Sequence, residues 1–282
     1  MTSSLTLTKH HGIGNDFLVA VDPAVPVTPA EAVAWCHRHR GVGADGVITV
    51  VPDRDGDAAG AGETPGWTMV LWNADGSRAE LSGNGLRCLG QALHEATGRT
   101  HHLIHTDAGD RLVVVEPTVW PDDPTTRSVT VDLGSARPGP EPYPGFDALG
   151  LAVERQVGVD IGNPHLVAMV GPVDPVDLAK VGPVVEASYP EGINLEIIEV
   201  ADRGRIDLRV WERGVGITEA CGTGASAAAW AAHRWGLVDE RVVVRMPGGE
   251  VGVELAAPGG AGALVRLSGP ATRIATVEIG RR

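Results

Sequence analysis

The sequence holds little of what would let a chain fold around staples or metal. Three cysteines in 282 residues, Cys36, Cys88 and Cys221, cannot make a disulfide framework, and their spacing fits no zinc site. Each is therefore a small buried residue or a reactive thiol. No apolar run approaches the roughly 18–20 residues of a membrane span. The start, MTSSLTLTKHHG, lacks the basic-then-apolar pattern of a secretion signal. Positive charge is in deficit: the formal net charge is −13, which argues against a general nucleic-acid or anionic-membrane binder. Hydrophobic residues at 43% and charged residues at 21% exclude a disordered chain. The expectation is a soluble cytoplasmic protein of one large domain or two of about 140 residues.

Glycine, by contrast, is abundant, with 38 residues. Short Val/Ile/Leu runs separated by turn residues predict strands at 47–51, 112–115, 128–133, 166–170, 195–200, 206–210, 242–244 and 251–255. Two segments read clearly as helices, 86–97 and 225–235, and they belong to a repeat. Asn73–Gly85 aligns with Glu212–Gly224 at an offset of 139, which superposes Glu80 on Glu219, Ser82 on Cys221, Gly83 on Gly222 and Gly85 on Gly224. Both helices stop at a glycine, Gly98 and Gly236. Ile13–Ala20 matches Ile161–Ala168 at offset 148, and the turn segments Asp107–Asp110 and Met246–Gly249 correspond at 139. Three matches in one order predict a duplication: two similar domains of mixed β-structure, each with one central helix. The boundary is placed at 122/123, in the loop Pro121–Pro124, with a C-terminal strand at about 270–282 completing the first domain. The Gly/Ala/Asp-rich segment 53–66 is expected to be an exposed insertion.

In each half a Gly-x-Gly stands at the start of a helix. It lets the backbone approach a ligand closely, and the unpaired N–H groups there form a natural carboxylate cradle. Directly before it stands Ser82 in one half and Cys221 in the other. A helix N-terminus lowers a thiol pKa, so Cys221 is expected to be partly thiolate near neutral pH. Two such groups on opposite faces of an amino acid have the geometry for inversion at the α-carbon, one taking a proton and the other giving one. No P-loop or dinucleotide fingerprint is present.

Those motifs carry a resemblance. His11–Phe17, Gly41–Gly46, Asn73–Gly76, Gly83–Gly85, Gly162–His165, Gly192–Asn194, Glu212–Gly214, Ala220–Gly224, Pro247–Gly249 and Gly269–Pro270, in this order, resemble the diaminopimelate epimerases over nearly the whole chain. The resemblance implies an α+β fold of two pseudo-symmetric domains, each a barrel-like mixed sheet around a central helix. It implies an isomerase of bacterial lysine biosynthesis, a homodimer, that interconverts LL- and meso-diaminopimelate by two-base proton transfer without pyridoxal phosphate, metal or other cofactor. Carried over by position, Cys221 and Ser82 are the acid–base pair, and Glu212 and His165 tune it. Asn15, Gly46, Asn73, Asn163 and Asn194 are substrate-binding positions. Arg213 pairs with the distal carboxylate, for which its planar fork is suited. Gly83, Asn84, Gly222 and Thr223 hold the reacting carboxylate.

Three positions depart from the family: Ser82, where a cysteine is usual, Ile217, where an acidic residue is common, and Gly46, where some members carry a polar contact. A serine hydroxyl is a far weaker acid than a thiol and needs an activating base. Three readings of Ser82 stand: a deliberate Cys→Ser change, a natural Ser/Cys pair, or a paralogue acting on another amino or imino acid. A non-catalytic amino-acid-binding protein is a further alternative.

Overall fold

The structure, a computed structural model, describes residues 4–53, 66–116, 123–256 and 263–281. Most of the expected insertion, 54–65, and half of the Pro121–Pro124 loop therefore lie outside the described residues. The chain divides into two compact units, Met1–Val131 with Gly269–Arg282, and Asp132–Ser268.

Unit 1 contains β1 (Ser4–Gly12), β2 (Asn15–Val21), α1 (Pro29–Cys36), β3 (Gly46–Pro52), β4 (Gly66–Asn73), β5 (Arg78–Ala79), α2 (Gly83–Thr97), β6 (His101–Thr106), β7 (Gly109–Val115) and the start of β8 (Thr126–Pro138). Unit 2 contains β9 (Arg155–Asp160), β10 (Pro164–Met169), α3 (Leu178–Ala187), β11 (Asn194–Asp202), β12 (Arg205–Glu212), β13 (Gly216–Thr218), α4 (Gly222–Arg234), β14 (Arg241–Met246), β15 (Gly249–Ala256) and the start of β16 (Ala263–Gly280). The chain passes between units inside β8 and β16. The first crossing falls nine residues past the boundary read from the Pro121–Pro124 loop, because β8 runs on through it as a continuous strand.

The duplication is visible strand by strand. Unit 1 runs β8-β7-β6-β4-β3-β2-β1-β16, with β5 on β4. Unit 2 runs β16-β15-β14-β12-β11-β10-β9-β8, with β13 on β12. In both, the parallel pairings fall at the same places: β2–β3 and β4–β6 in one, β10–β11 and β12–β14 in the other. These are the crossovers occupied by α1, α2, α3 and α4. In unit 1 the run closes on itself, β16 meeting β8 where Arg273 N donates to Thr125 O at 2.8 Å.

The central helices are built to be enclosed. Gly83–Leu93 of α2 and Gly222–Ala232 of α4 are buried without a break. A helix buried all round needs slender side chains where the sheet comes near. In α4 six of the eleven buried residues are alanine, the best helix former. In α2 a methyl placed on Gly90 would lie 2.6 Å from Val113 Cγ1 and 3.0 Å from Val129 Cγ1. Both helices begin three residues ahead of the apolar pattern that marks them in sequence, because Gly-x-Gly forms the first turn.

The outer helices were harder to read. Thr28 caps α1 in a reciprocal box with Glu31, and Pro29 opens it. Arg281 reaches back to Glu31 at 2.8 Å and pins the C-terminal strand to α1. The α3 segment carries Pro183 inside the helix, which hides it from pattern reading. His102, which looks like surface loop in sequence, is a buried residue of β6.

If α2 is as tightly enclosed as this, Gly90→Ala should destabilise the protein by about 1–3 kcal/mol, since Val113 and Val129 are stiff at χ1 and held in paired strands. Calorimetry of the variant checks this; an unchanged melting temperature would mean that the sheet has slack around α2.

Candidate active site

Each central helix starts with the same backbone. Ser82 (φ −142°, ψ 118°) caps α2, and its Oγ accepts from Gly85 N at 3.0 Å. Cys221 (φ −134°, ψ 114°) caps α4, and its Sγ accepts from Gly224 N at 3.4 Å. The amides of Gly222 and Thr223 precede the first intrahelical bond of α4, and Gly83 holds the corresponding place in α2. Around these matching caps the two units differ.

In unit 2 the cap is surrounded by acid–base groups. The Cys221 thiol donates to the Glu212 carboxylate, which also accepts from Thr218 Oγ1. Thr223 Oγ1 lies 3.5 Å from Sγ. Burial, with the negative charges of Glu212 and Glu196 behind it, pushes the Cys221 thiol well above its ordinary range. This corrects the thiolate expected from its helix-start position: two buried carboxylates and lost hydration outweigh the helix end. Burial likewise pushes the Glu212 carboxyl up. His165 sits on β10, fully buried, with Nδ1 2.7 Å from Glu196 Oε1 and Nε2 2.9 Å from Asn163 Oδ1.

The arm carrying Arg213 is braced from beneath. Asn194 Oδ1 accepts from Arg213 N at 3.0 Å, and its Nδ2 donates to Pro164 O at 2.9 Å. Glu186 of α3 takes bonds from Trp211 Nε1 at 2.6 Å and Gly214 N at 2.9 Å. The Arg213 guanidinium meets only the Glu191 carbonyl, at 3.4 Å; among the described residues no carboxylate pairs with it. It is thus available to an anion.

In unit 1 the cap is surrounded by amides and a buried cation. Arg87 Nη2 donates to Asn84 Oδ1 at 2.8 Å. Asn84 Nδ2 donates to Asn15 Oδ1 at 3.2 Å, and Asn15 Nδ2 donates to Asp45 Oδ2 at 2.8 Å. The chain starts on a group that can only donate and ends on one that can only accept, so every amide between them has one orientation. Asp45 and Asp16 are held by Arg38, and Asp16 also by Lys9. The stretch His37–Arg40 is therefore not merely solvated. Arg87 is fully buried; its Nε and Nη1 lack a hydrogen-bond partner, and burial lowers its pKa to about 10. Asn73 bonds Ser77 Oγ at 3.0 Å in the turn before β5. Gly46 is buried; a methyl there would meet Trp72 O at 2.7 Å, so it offers backbone and no side chain.

Thus unit 2 gathers Cys221, Glu212, His165, Asn163, Asn194, Thr223 and Gly222, and unit 1 gathers Ser82, Gly83, Asn84 and Asn15. Sequence reasoning missed Glu196, Arg87, Asp45 and Glu186. The first two had a usable signal, since each is a charge inside an otherwise apolar stretch. Cys36 and Cys88 are buried, their thiols pushed up to about 12 by burial.

Removing one of the two carboxylates behind Cys221 should ease its ionisation. In Glu212→Gln the thiolate absorbance near 240 nm should appear at a pH lower by about one unit or more. The measurement is made in a Cys36→Ala/Cys88→Ala background, so that Cys221 is the thiol observed. An unchanged midpoint would show that burial alone sets it.

Comparison with known proteins places this geometry. The sequence profile of the family described as diaminopimelate epimerase matches residues 7–137 and 157–274. The diaminopimelate epimerase of Magnetococcus marinus is 40% identical over 286 residues, covering 96% of this chain and 95% of that protein. That of a Cyanothece species is 40% identical over 294 residues, covering 96% and 98%. Among solved structures, a predicted epimerase from Pseudomonas aeruginosa superposes with a TM-score of 0.73 at 18% identity, covering 99% of this chain and 100% of that one. A hydroxyproline epimerase from Agrobacterium vitis gives 0.68 at 16%, covering 99% and 94%. The two structures share the fold, and the sequence matches establish that this chain belongs to the diaminopimelate epimerase family.

Proposed function

We propose that the protein interconverts LL- and meso-diaminopimelate by proton transfer at the α-carbon, without pyridoxal phosphate or metal. The observation that carries the reading is the Cys221–Glu212 pair at the start of α4, in a chain that matches the family along nearly its whole length. Cys221 rests as a thiol. To act as a base it must pass its proton to Glu212, the carboxylate it already bonds. A bound amino acid brings an ammonium group, whose positive charge favours the thiolate. The thiolate then takes the α-proton, and the substrate carboxylate, held by the helix-start amides, spreads the charge left on the α-carbon. Arg213, without a carboxylate of its own, takes the distal carboxylate, and this second anion favours a dicarboxylate diamine over a simple amino acid.

Inversion needs a second acid, and by the repeat Ser82 is the counterpart of Cys221. The two caps are equivalent, but their surroundings are not. By the repeat, Asn73 stands where unit 2 has Glu212, and among the described residues no carboxylate bonds Ser82 Oγ. Ser82 can donate a proton but has no base in its own unit to activate it. Exchange of the α-proton should therefore outrun inversion. Arg87 prepares the α2 helix start for an anion by fixing Asn84 and by its charge. The homodimer and the cytoplasmic location belong to the same proposal and rest on the family resemblance.

Proton NMR of both isomers in D₂O tests this. Deuterium should enter the α-position faster than the isomers interconvert, and Ser82→Cys should raise inversion by about 10²–10⁴-fold. If neither form exchanges either isomer, the substrate is wrong and another amino or imino acid takes its place. Arg87→Met should raise KM about tenfold or more with little loss of kcat; the reverse split would put Arg87 in the chemical step.

A further inference from the structure

The buried Glu196–His165 pair of unit 2 carries no step in the account above. Glu196 is fully buried on β11, and Oε1 lies 2.7 Å from His165 Nδ1. Its Oε2 has no hydrogen-bond partner. A methyl on Gly224, in the first turn of α4, would lie 2.7 Å from Oε1, so the carboxylate sits directly beneath the helix start.

The fold itself does not require this pair, and the repeat supplies the control. His165 pairs with Asn194 across the parallel β10–β11 ladder, as Phe17 pairs with Gly46 across β2–β3. Two residues on, Glu196 corresponds to Ile48. The correspondence holds in space, since a methyl on Gly85 would meet Ile48 Cδ1 at 3.1 Å. Unit 1 thus fills these two places with Phe17 and Ile48, both buried and apolar. Replacing apolar packing by a buried ion pair gains no stability in general. The pair needs another reason to be there.

We propose that Glu196 is the positioning residue of His165: it keeps a proton on Nδ1 and turns Nε2 toward Asn163. Glu196 Oε1 accepts from Nδ1 at 2.7 Å, and the Asn163 amide lies 2.9 Å from Nε2, so the ring is held from both sides. The groups facing it are Glu196 from β11, Asn163 from the β9–β10 turn and, through its charge, Glu212 from β12. Glu196 also adds to the negative field that keeps the Cys221 proton bound until substrate arrives. This extends the epimerase reading, but its main test does not depend on it.

The test is nitrogen NMR of histidine-labelled protein, with the His165 signals assigned by their loss in His165→Asn. The expected result is a persistent Nδ1–H in the parent. In Glu196→Ile, which leaves Nδ1 without an acceptor, the Nδ1–H signal should be lost or shared with Nε2, while Glu196→Asp keeps it. An unchanged tautomer in Glu196→Ile would overturn the proposal, whether or not diaminopimelate is the substrate. In the kinetic arm, Glu196→Gln should lower kcat by about 10–100-fold in the parent and have no further effect in His165→Asn. An equal loss in both backgrounds would overturn action through His165. The double change His165→Phe/Glu196→Ile, which copies unit 1, should melt within a few degrees of the parent; a collapse in stability would show that the pair is structural and would also overturn the proposal.

Discussion

A helix that is surrounded by its own sheet sets the terms for this molecule. Such a helix must be thin, which is why the buried length of α4 is alanine, glycine, serine and threonine apart from Trp230 and why Gly90 faces Val113 and Val129 in α2. Its first turn also ends up away from solvent. The N–H groups there have no partner within the helix and carry partial positive charge, and burial makes leaving them unanswered costly. Both units therefore build polar clusters at that point. The binding and acid–base chemistry proposed for this family member sits where the fold already required hydrogen-bond acceptors.

The two units meet that demand with opposite electrostatics. Around the Ser82 cap, the amides of Asn84 and Asn15 are held in one orientation between a buried guanidinium and a carboxylate. Around the Cys221 cap, two carboxylates, an imidazole and a hydroxyl surround a thiol. A positive field with fixed amides suits the holding of an anion. A negative field suits the retention and passing of protons. After duplication the scaffold stayed nearly unchanged, strand for strand, while a few inward positions changed character: Phe17 against His165, Ile48 against Glu196, Asn73 against Glu212, Asn84 against Thr223.

Much of this was legible in the sequence, for a physical reason. Gly-x-Gly at a helix start, a glycine at its end and a two-residue hairpin turn are local requirements, so they survive in both copies and expose the repeat. The same signals marked Ser82, Cys221 and the cradle glycines. What escaped depends on non-local packing. The crossing between units inside β8 cannot be seen in a strand that does not break there. Pro183 masks α3. Glu196 and Arg87 read as single charges until the fold shows that neither reaches water. The Cys221 thiol was misjudged for the same reason: the helix-end rule is local, whereas burial and the carboxylates of β11 and β12 come from elsewhere in the chain.

Ser82 is where the two kinds of requirement separate. As a helix cap, serine does what cysteine does, and does it at shorter range: 3.0 Å to Gly85 N against 3.4 Å from Sγ to Gly224 N. Serine is among the preferred capping residues. The backbone angles at the two caps differ by only a few degrees. The fold is therefore indifferent to which residue stands there, and stability carries no information about the choice. The difference is purely chemical. A thiol is a far stronger acid than a hydroxyl, so a proton relay that serves cysteine leaves serine in need of a much stronger base. A chain can thus keep the architecture and both helix-start caps intact while, in the proposed reaction, the balance between exchange and inversion at the α-carbon turns on one atom, the oxygen at position 82.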